Sequence, residues 1–138
     1  MAVVTEYIRL STKGNAEVVD ITTQVQKHLS LCGLNAGIVT VSVVGSTCAL
    51  TTCEYEPGLV KDIKDIFDKL IPAGPYHHDQ AWGDGNGHSH LRSSLVGPSV
   101  TFPFRDAEMI LGTWQQIIFI DFDNRSRQRE LVVQILGE

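Results

Sequence analysis

The chain of 138 residues has the length of one domain, and its 43% apolar and 20% charged residues are typical of a globular protein. Its net charge of −5 at pH 7 argues against sequence-independent nucleic-acid binding, which needs a basic surface. The sequence has no apolar run of about 20 residues for crossing a bilayer, and no segment typical of a secretory signal. Three cysteines without a C-x-x-C pattern indicate reduced thiols. We therefore expect one cytoplasmic domain over residues 1–138, with no nucleic-acid or membrane partner.

Local patterns in the first half predict both strands and helices. Strands are predicted over residues 3–10, 37–44 and 46–54, and helices over residues 20–32 and 59–70. Asp20 is suited to cap the first helix and Gly33 to follow its end, while Pro57 opens the second helix. Gly45 marks a sharp bend between two consecutive strands.

The second half begins with a segment without periodicity, residues 72–87, which we expect to be a loop. Loops of this length are uncommon inside small domains and are often functional. A short helical piece is predicted to follow, up to residue 96, and then come strands over residues 99–104, 108–111, 115–122 and 130–136. The complete pattern predicts an α+β fold with roughly eight mostly antiparallel strands and two or three helices.

Histidines concentrate in and after this loop. Four of the five histidines fall between residues 77 and 90: His77, His78, His88 and His90. Imidazole is the most common metal ligand in proteins. If residues 88–90 are extended, His88 and His90 point the same way, and His78 approaches them from the other end of the loop. The alternative is a polar surface loop whose histidines bind nothing.

Polar residues near this cluster and at the bends offer further contacts. Asp79, Asp84 or Asn86 is expected to orient a ligating imidazole, although Asp84 is also typical of a simple turn. The Gly45-Ser46-Thr47 bend offers hydroxyl and backbone donors to an oxyanion, although such residues are common in turns without a ligand.

Five motifs occur in the order found in the YjbQ family, which this sequence resembles over nearly its whole length. They are GSTCALTTCE at residues 45–54, YHH at 76–78, NGHSH at 86–90, LVGPS at 95–99 and LGTWQ at 111–115. The resemblance implies a compact α+β homotrimer similar to secondary thiamine-phosphate synthases, in an archaeal-type variant. Many bacterial relatives have H-T-[ST]-A-A-L-T where this chain has Gly45, and we hypothesise that His88 replaces that missing imidazole.

By position, His78 and His90 match the family's histidines, and Glu54, Gln115 and Arg129 match its polar positions. We therefore predict His78, His88 and His90 as metal ligands, Glu54 and Gln115 as catalytic residues, and Ser46, Thr47 and Arg129 as phosphate contacts. The expected cofactor is a divalent metal ion, with zinc as the bound ion and magnesium as the alternative for catalysis. The expected substrate is a small phosphorylated molecule.

Three functions remain open from the sequence. The first joins a pyrimidine diphosphate to a thiazole phosphate and releases pyrophosphate. The second is another metal-dependent enzyme, such as a hydrolase. The third is a non-catalytic trimeric protein in which a metal organises the loop.

Overall fold

The architecture is two antiparallel sheets with helices on both sides of the smaller one, in a computed structural model that describes residues 1–138. The strands are β1 (Ala2–Thr12), β2 (Glu17–Asp20), β3 (Ala36–Val43), β4 (Cys48–Cys53), β5 (Ser99–Arg105), β6 (Glu108–Met109), β7 (Gln116–Asp121) and β8 (Arg127–Gly137). The helices are α1 (Thr22–Leu31), α2 (Pro57–Leu70), α3 (His77–Trp82) and α4 (Gly87–Val96). This arrangement confirms the predicted α+β class, with one helix more than expected.

The larger sheet has the strand order β1-β8-β3-β5-β6, and the smaller has the order β2-β7-β4. All neighbouring strands are antiparallel. In the smaller sheet, Cys48 pairs with Asp121 at one end and Cys53 pairs with Gln116 at the other. These two ends are about 17 Å apart along the strands, at about 3.3 Å per residue.

Strand β7 is covered on both faces, and this explains its uninterrupted apolar sequence. Ile117 and Phe119 pack into a core between the two sheets, where α1 also contributes its apolar side. Ile118 and Ile120 point the opposite way and pack with Phe67 of α2 in a second core. All four β7 side chains are fully or almost fully buried, and each such burial stabilises the fold by about 1.5–3 kcal/mol.

Helix α2 begins at Pro57, the residue that the sequence predicts as its start, and Glu56 caps it. The Glu56 carboxylate accepts hydrogen bonds from the backbone N–H groups of Gly58 and Leu59 at 2.8 and 2.7 Å. These bonds lower the pKa of Glu56. None of the four helices combines the length and apolar character that crossing a bilayer requires.

The expected loop over residues 72–87 is only partly irregular, because α3 forms within it. Asp79 explains the helix: its carboxylate accepts from the Tyr76 N–H at 3.0 Å, before the first turn of α3. Gly83 ends α3 in the left-handed conformation, with φ of 68°, which glycine adopts without steric cost. The sequence prediction missed this helix because it is only 6 residues long, too short to show periodicity.

Candidate functional site

Asp79 connects the two helices that carry the histidines. Besides the Tyr76 N–H, its carboxylate accepts from the Gly87 N–H at 2.8 Å, at the start of α4. These bonds, led by that of Gly87, hold the pKa of Asp79 below its usual value. The charged carboxylate therefore fastens the start of α3 to the start of α4, and the side chains of both helices meet across this junction.

His78 and His90 meet there. Their ring centroids are 4.5 Å apart and the rings are inclined by 43°. The Nδ1 atom of His78 lies 3.6 Å from Asp84 Oδ1 and 3.8 Å from Asp79 Oδ1. This Nδ1 is buried and has no hydrogen-bond partner.

His78, Asp79 and Asp84 form a group that could hold a metal ion, because one ligand atom of each lies within 4.8 Å of the others. The His90 ring lies beside that of His78. Zinc accepts imidazole nitrogen and carboxylate oxygen at about 2.0–2.2 Å, so small side-chain rotations would bring these donors into range. Asp79 already serves two backbone N–H groups, which leaves Asp84, half-exposed at the edge of the site, as the better carboxylate ligand.

His88 does not join this pair, and the expectation that His78, His88 and His90 converge is wrong. Residues 88–90 belong to helix α4 rather than to an extended segment, so residues two apart point about 200° apart around the helix axis. His88 lies on the buried side with Ser89, Arg92 and Ser93. Burial, helped by the Arg92 guanidinium, lowers the pKa of His88.

Other side chains occupy the space beside Gly45. A Cβ atom added to Gly45 would lie 3.0 Å from Arg129 Nη1 and 3.1 Å from Cys48 Sγ. The guanidinium and the thiol therefore occupy the surroundings of Gly45. The hypothesis that His88 replaces the missing imidazole required three histidines to meet, and it relied on an extended geometry that helix α4 does not provide.

A buried ion pair lies beneath the Gly45-Ser46-Thr47 bend. Arg129 donates from Nε and Nη2 to the two carboxylate oxygens of Asp121, at 2.8 and 2.9 Å. The side chains are 9% and 0% exposed, respectively. Arg129 Nη2 also donates to the Thr47 hydroxyl at 2.7 Å, and the Thr12 hydroxyl donates to Asp121. The hydrogen bonds to Asp121 raise the pKa of Arg129, so this pair stays charged.

Asp123 links this ion pair to the histidine-bearing helix. Its carboxylate accepts from the Thr47 hydroxyl at 2.9 Å, from Asn86 Nδ2 at 3.3 Å and from Arg127 Nε at 3.1 Å. Burial tends to raise the pKa of Asp123, but these hydrogen bonds outweigh burial and the pKa is lowered. Because Asn86 directly precedes α4, Asp123 fixes that helix against the end of β7.

The residues predicted to contact phosphate differ in which of their polar atoms remain available for a ligand. Thr47 is buried, and its hydroxyl already accepts from Arg129 and donates to Asp123. Arg129 uses Nε and Nη2 within the protein, and only Nη1 faces the Gly45 bend. Ser46 is exposed.

Glu54 and Gln115 lie at the opposite end of the smaller sheet. They flank the Cys53–Gln116 pair, whereas the ion pair and Asn86 lie beyond the Cys48–Asp121 end. Gln115 accepts from the Gly112 N–H at 3.0 Å and donates to the Thr52 hydroxyl at 3.4 Å. Within one chain the structure does not bring Glu54 or Gln115 to the histidine pair.

Sequence reasoning missed the Asp121–Asp123 network and underrated Asp84. The available signal was the D-F-D sequence directly after a fully apolar strand, followed by alternating arginines at 125, 127 and 129. Charged residues that interrupt or end a buried strand need partners. Asp84 does make the expected turn, since its Oδ1 accepts from the Asn86 N–H at 3.2 Å, but the same oxygen also faces His78.

The fold and site define an α+β protein in which two antiparallel sheets support a histidine–carboxylate cluster at one end of the smaller sheet. The chain belongs to the UPF0047 protein YjbQ-like family, which it matches over residues 6–138.

Relatives occur in archaea and bacteria. A UPF0047 protein of Archaeoglobus fulgidus is 38% identical over 130 residues, which cover 94% of this chain and 98% of the relative. The UPF0047 protein YugU of Bacillus subtilis is 30% identical, with 94% and 97% covered. A crystal structure of a YbjQ-like protein of unknown function from Sulfolobus solfataricus has a TM-score of 0.88 at 29% identity, covering 99% of this chain and 100% of that one. A YjbQ/UPF0047 family structure from Clostridium acetobutylicum has a TM-score of 0.86 at 32% identity, with 95% and 99% covered.

Proposed function

We propose that the protein is a metal-dependent enzyme acting on a small phosphorylated substrate, with a divalent ion held by His78, His90 and Asp84. The observation that carries this proposal is the state of the His78 imidazole. Its Nδ1 is buried without a hydrogen-bond partner, and it lies 3.6 Å from Asp84 and beside the His90 ring. A buried polar atom left unpaired costs about 1–3 kcal/mol, which coordination of a cation would offset.

Zinc is the proposed bound ion, and magnesium is the alternative during catalysis. A divalent ion at this place would supply the positive charge that stabilises charge developing on phosphoryl oxygens. The chain's own residues position the donors. Asp79 fixes His78 by fastening α3 to α4, and Asp123, through Asn86, fixes the helix that carries His90.

The phosphate group of the substrate is proposed to lie near the Gly45 bend. Ser46 offers an exposed hydroxyl, and Arg129 Nη1 offers a donor that is directed toward the bend by the pairing of Nε and Nη2 with Asp121. Thr47 acts here as a positioning residue, because its hydroxyl joins Arg129 to Asp123.

The specific reaction proposed from the family resemblance joins a pyrimidine diphosphate to a thiazole phosphate and releases pyrophosphate. In this proposal the protein is a homotrimer, and Glu54 and Gln115 act from a neighbouring subunit, since in their own chain they lie at the far end of the sheet. Light scattering of the purified protein tests the trimer.

A second candidate is a metal-dependent hydrolase. It is favoured by the scarcity of free phosphate donors, because Thr47 and two of the three Arg129 nitrogens are occupied within the protein. A diphosphate substrate requires more donors than a single phosphoester does.

Metal content of purified variants tests the centre. Wild-type protein loaded with zinc and dialysed should retain a stoichiometric ion, and zinc at about 100 times its dissociation constant should stabilise the fold by about 2.7 kcal/mol. His78→Ala and His90→Ala should lose the ion. His77→Ala is the matched control, since His77 is exposed on the same helix. Equal zinc retention in all three variants would remove the basis of the proposal.

Activity assays then separate the two reactions. Zinc- or magnesium-loaded protein is incubated with the pyrimidine diphosphate and the thiazole phosphate, and both the coupled product and pyrophosphate are measured. Formation of both by the wild type and the His77→Ala variant, but not by His90→Ala, supports the synthase. Metal-dependent release of phosphate from a simple phosphoester, without coupling, supports the hydrolase instead.

A further inference from the structure

A cleft lies on the side of α4 that carries His88 and Arg92. It has a volume of about 310 Å³ and is formed by α2, α4 and the turn after β1, with Asn15, Lys64, Asp68, Ala73, His88 and Arg92 as its lining residues. None of these residues belongs to the proposed metal centre. The cleft therefore needs its own explanation.

His88 has a buried imidazole without a partner in this cleft. The residue is 9% exposed, and its Nδ1 makes no hydrogen bond. A neutral imidazole has one N–H donor and one acceptor nitrogen. The other ring nitrogen, Nε2, also makes no hydrogen bond within the protein and is available to a ligand in the cleft.

Arg92 supplies a fixed positive charge beside it. The side chain is 6% exposed; Nε donates to the Ile71 carbonyl at 2.9 Å, and Nη2 donates to the Phe67 carbonyl and to Asp68 Oδ1, both at 3.3 Å. These three bonds use Nε and Nη2 and leave the Nη1 donors free. Lys64 lies one helical turn before Asp68 on α2 and adds a second positive charge at the rim.

We propose that this cleft binds an oxyanion, specifically the phosphate group of a small molecule. Arg92 Nη1, His88 Nε2 and Lys64 Nζ are donors of the kind that phosphate oxygens accept. Among the lining residues, Lys64 and Arg92 are positive and Asp68 is negative. Asp79 and Asp123 also act electrostatically on His88 from outside the lining. Asp68 opposes the anion and keeps binding weak. The cleft shares no residue with the proposed metal centre, and His88 interacts electrostatically with Asp79 at the junction between α3 and α4.

The test is a titration of the full chain with inorganic phosphate, in which binding is detected by nitrogen–proton NMR spectra. The ionic strength is kept constant, and chloride is the reference anion. Signals of Lys64, His88 and the Arg92 Nε–H should move with phosphate and not with chloride. Phenyl phosphate is titrated in parallel. Tighter binding of phenyl phosphate assigns the site to phosphorylated molecules, and equal binding assigns it to free phosphate; either result supports an oxyanion site.

Three variants show whether each side chain strengthens or weakens phosphate binding. His88→Phe keeps the ring volume and should weaken phosphate binding about tenfold, as loss of a hydrogen bond to a charged group predicts. Lys64→Met, on the exposed face of α2, should weaken it about fivefold, and Asp68→Asn should strengthen it about fivefold. Asp68→Asn and Lys64→Met change exposed groups and keep the test decisive if His88→Phe folds poorly.

Three outcomes would overturn the proposal. The first is that phosphate and chloride shift the same signals. The second is that Lys64→Met and Asp68→Asn bind phosphate as the wild type does. The third is that binding disappears in His78→Ala but persists in His88→Phe, which would place the anion at the histidine pair. Zinc retention by His88→Phe shows separately that the metal centre is intact, so failure of one site is distinguishable from failure of the other.

Discussion

Replacing Arg129 by methionine should destabilise the protein strongly, because the change leaves a buried carboxylate without its counter-ion. Arg129 makes two hydrogen bonds to Asp121, which is 0% exposed, and one to Thr47. Methionine fills much of the same volume but carries no charge. Breaking one side of a buried ion pair typically costs about 3–5 kcal/mol. At about 3–5 °C per kcal/mol for a domain of this size, the melting temperature should fall by about 10–25 °C.

Urea unfolding followed by circular dichroism measures this loss, and Arg125→Met provides the control. Arg125 is an exposed arginine on the same β7–β8 turn, and its side chain makes no ion pair. Its replacement should change the free energy of unfolding by less than about 0.5 kcal/mol. The double variant Arg129→Met with Asp121→Asn should recover part of the lost stability, because the uncompensated charge is then removed as well.

The reasoning fails if Arg129→Met costs less than about 1 kcal/mol, or no more than Arg125→Met. It also fails if adding Asp121→Asn makes the single variant still less stable, because the loss would then not come from an uncompensated buried charge. The comparison requires that the slope of the free energy of unfolding against urea concentration is the same in all variants. An equal slope shows that the same surface is exposed on unfolding.

Three further outcomes follow from the buried polar groups. The pKa of Asp123 is lower in the folded chain, so its stabilising contribution is full above about pH 4 and is lost as the pH falls through the folded value; Asp123→Asn should flatten the acid side of a stability–pH curve. Burial raises the pKa of Cys48 to about 11, so at pH 8 an alkylating reagent should label Cys32 in the native protein and Cys48 only after unfolding, as peptide mass spectrometry can check. Ser89→Ala should cost about 1–3 kcal/mol in urea unfolding, because the buried Ser89 hydroxyl donates to the Phe122 carbonyl at 2.6 Å.

The strands and long helices could be predicted because their burial repeats with the backbone period. Helix α2 was expected over residues 59–70 and extends over Pro57–Leu70, and the cap at Glu56 explains the two additional residues. Strand β2, by contrast, was not predicted. It has only 4 residues, and its position depends on pairing with β7, a contact between distant parts of the chain.

The histidine cluster was predicted in part. His78 and His90 do meet, as their spacing around the loop suggested, but His88 was placed with them only because residues 88–90 were taken as extended. Helical geometry reverses that conclusion for residues two apart. The helix starts where Asp79 accepts from the Gly87 N–H, eight residues away, and no local pattern reveals that bond.

The close approach of Arg129 to Gly45 has a consequence for divergence within the family. A side chain introduced at position 45 would meet Nη1 at 3.0 Å and the Cys48 sulfur at 3.1 Å, and the guanidinium is not free to withdraw because Asp121 holds it on two nitrogens. Positions 45, 48 and 129 should therefore covary among homologues. A side chain at position 45 requires Nη1 and the Cys48 sulfur to shift by a few tenths of an ångström, so the residues at 48 and 129 determine which side chains position 45 accepts.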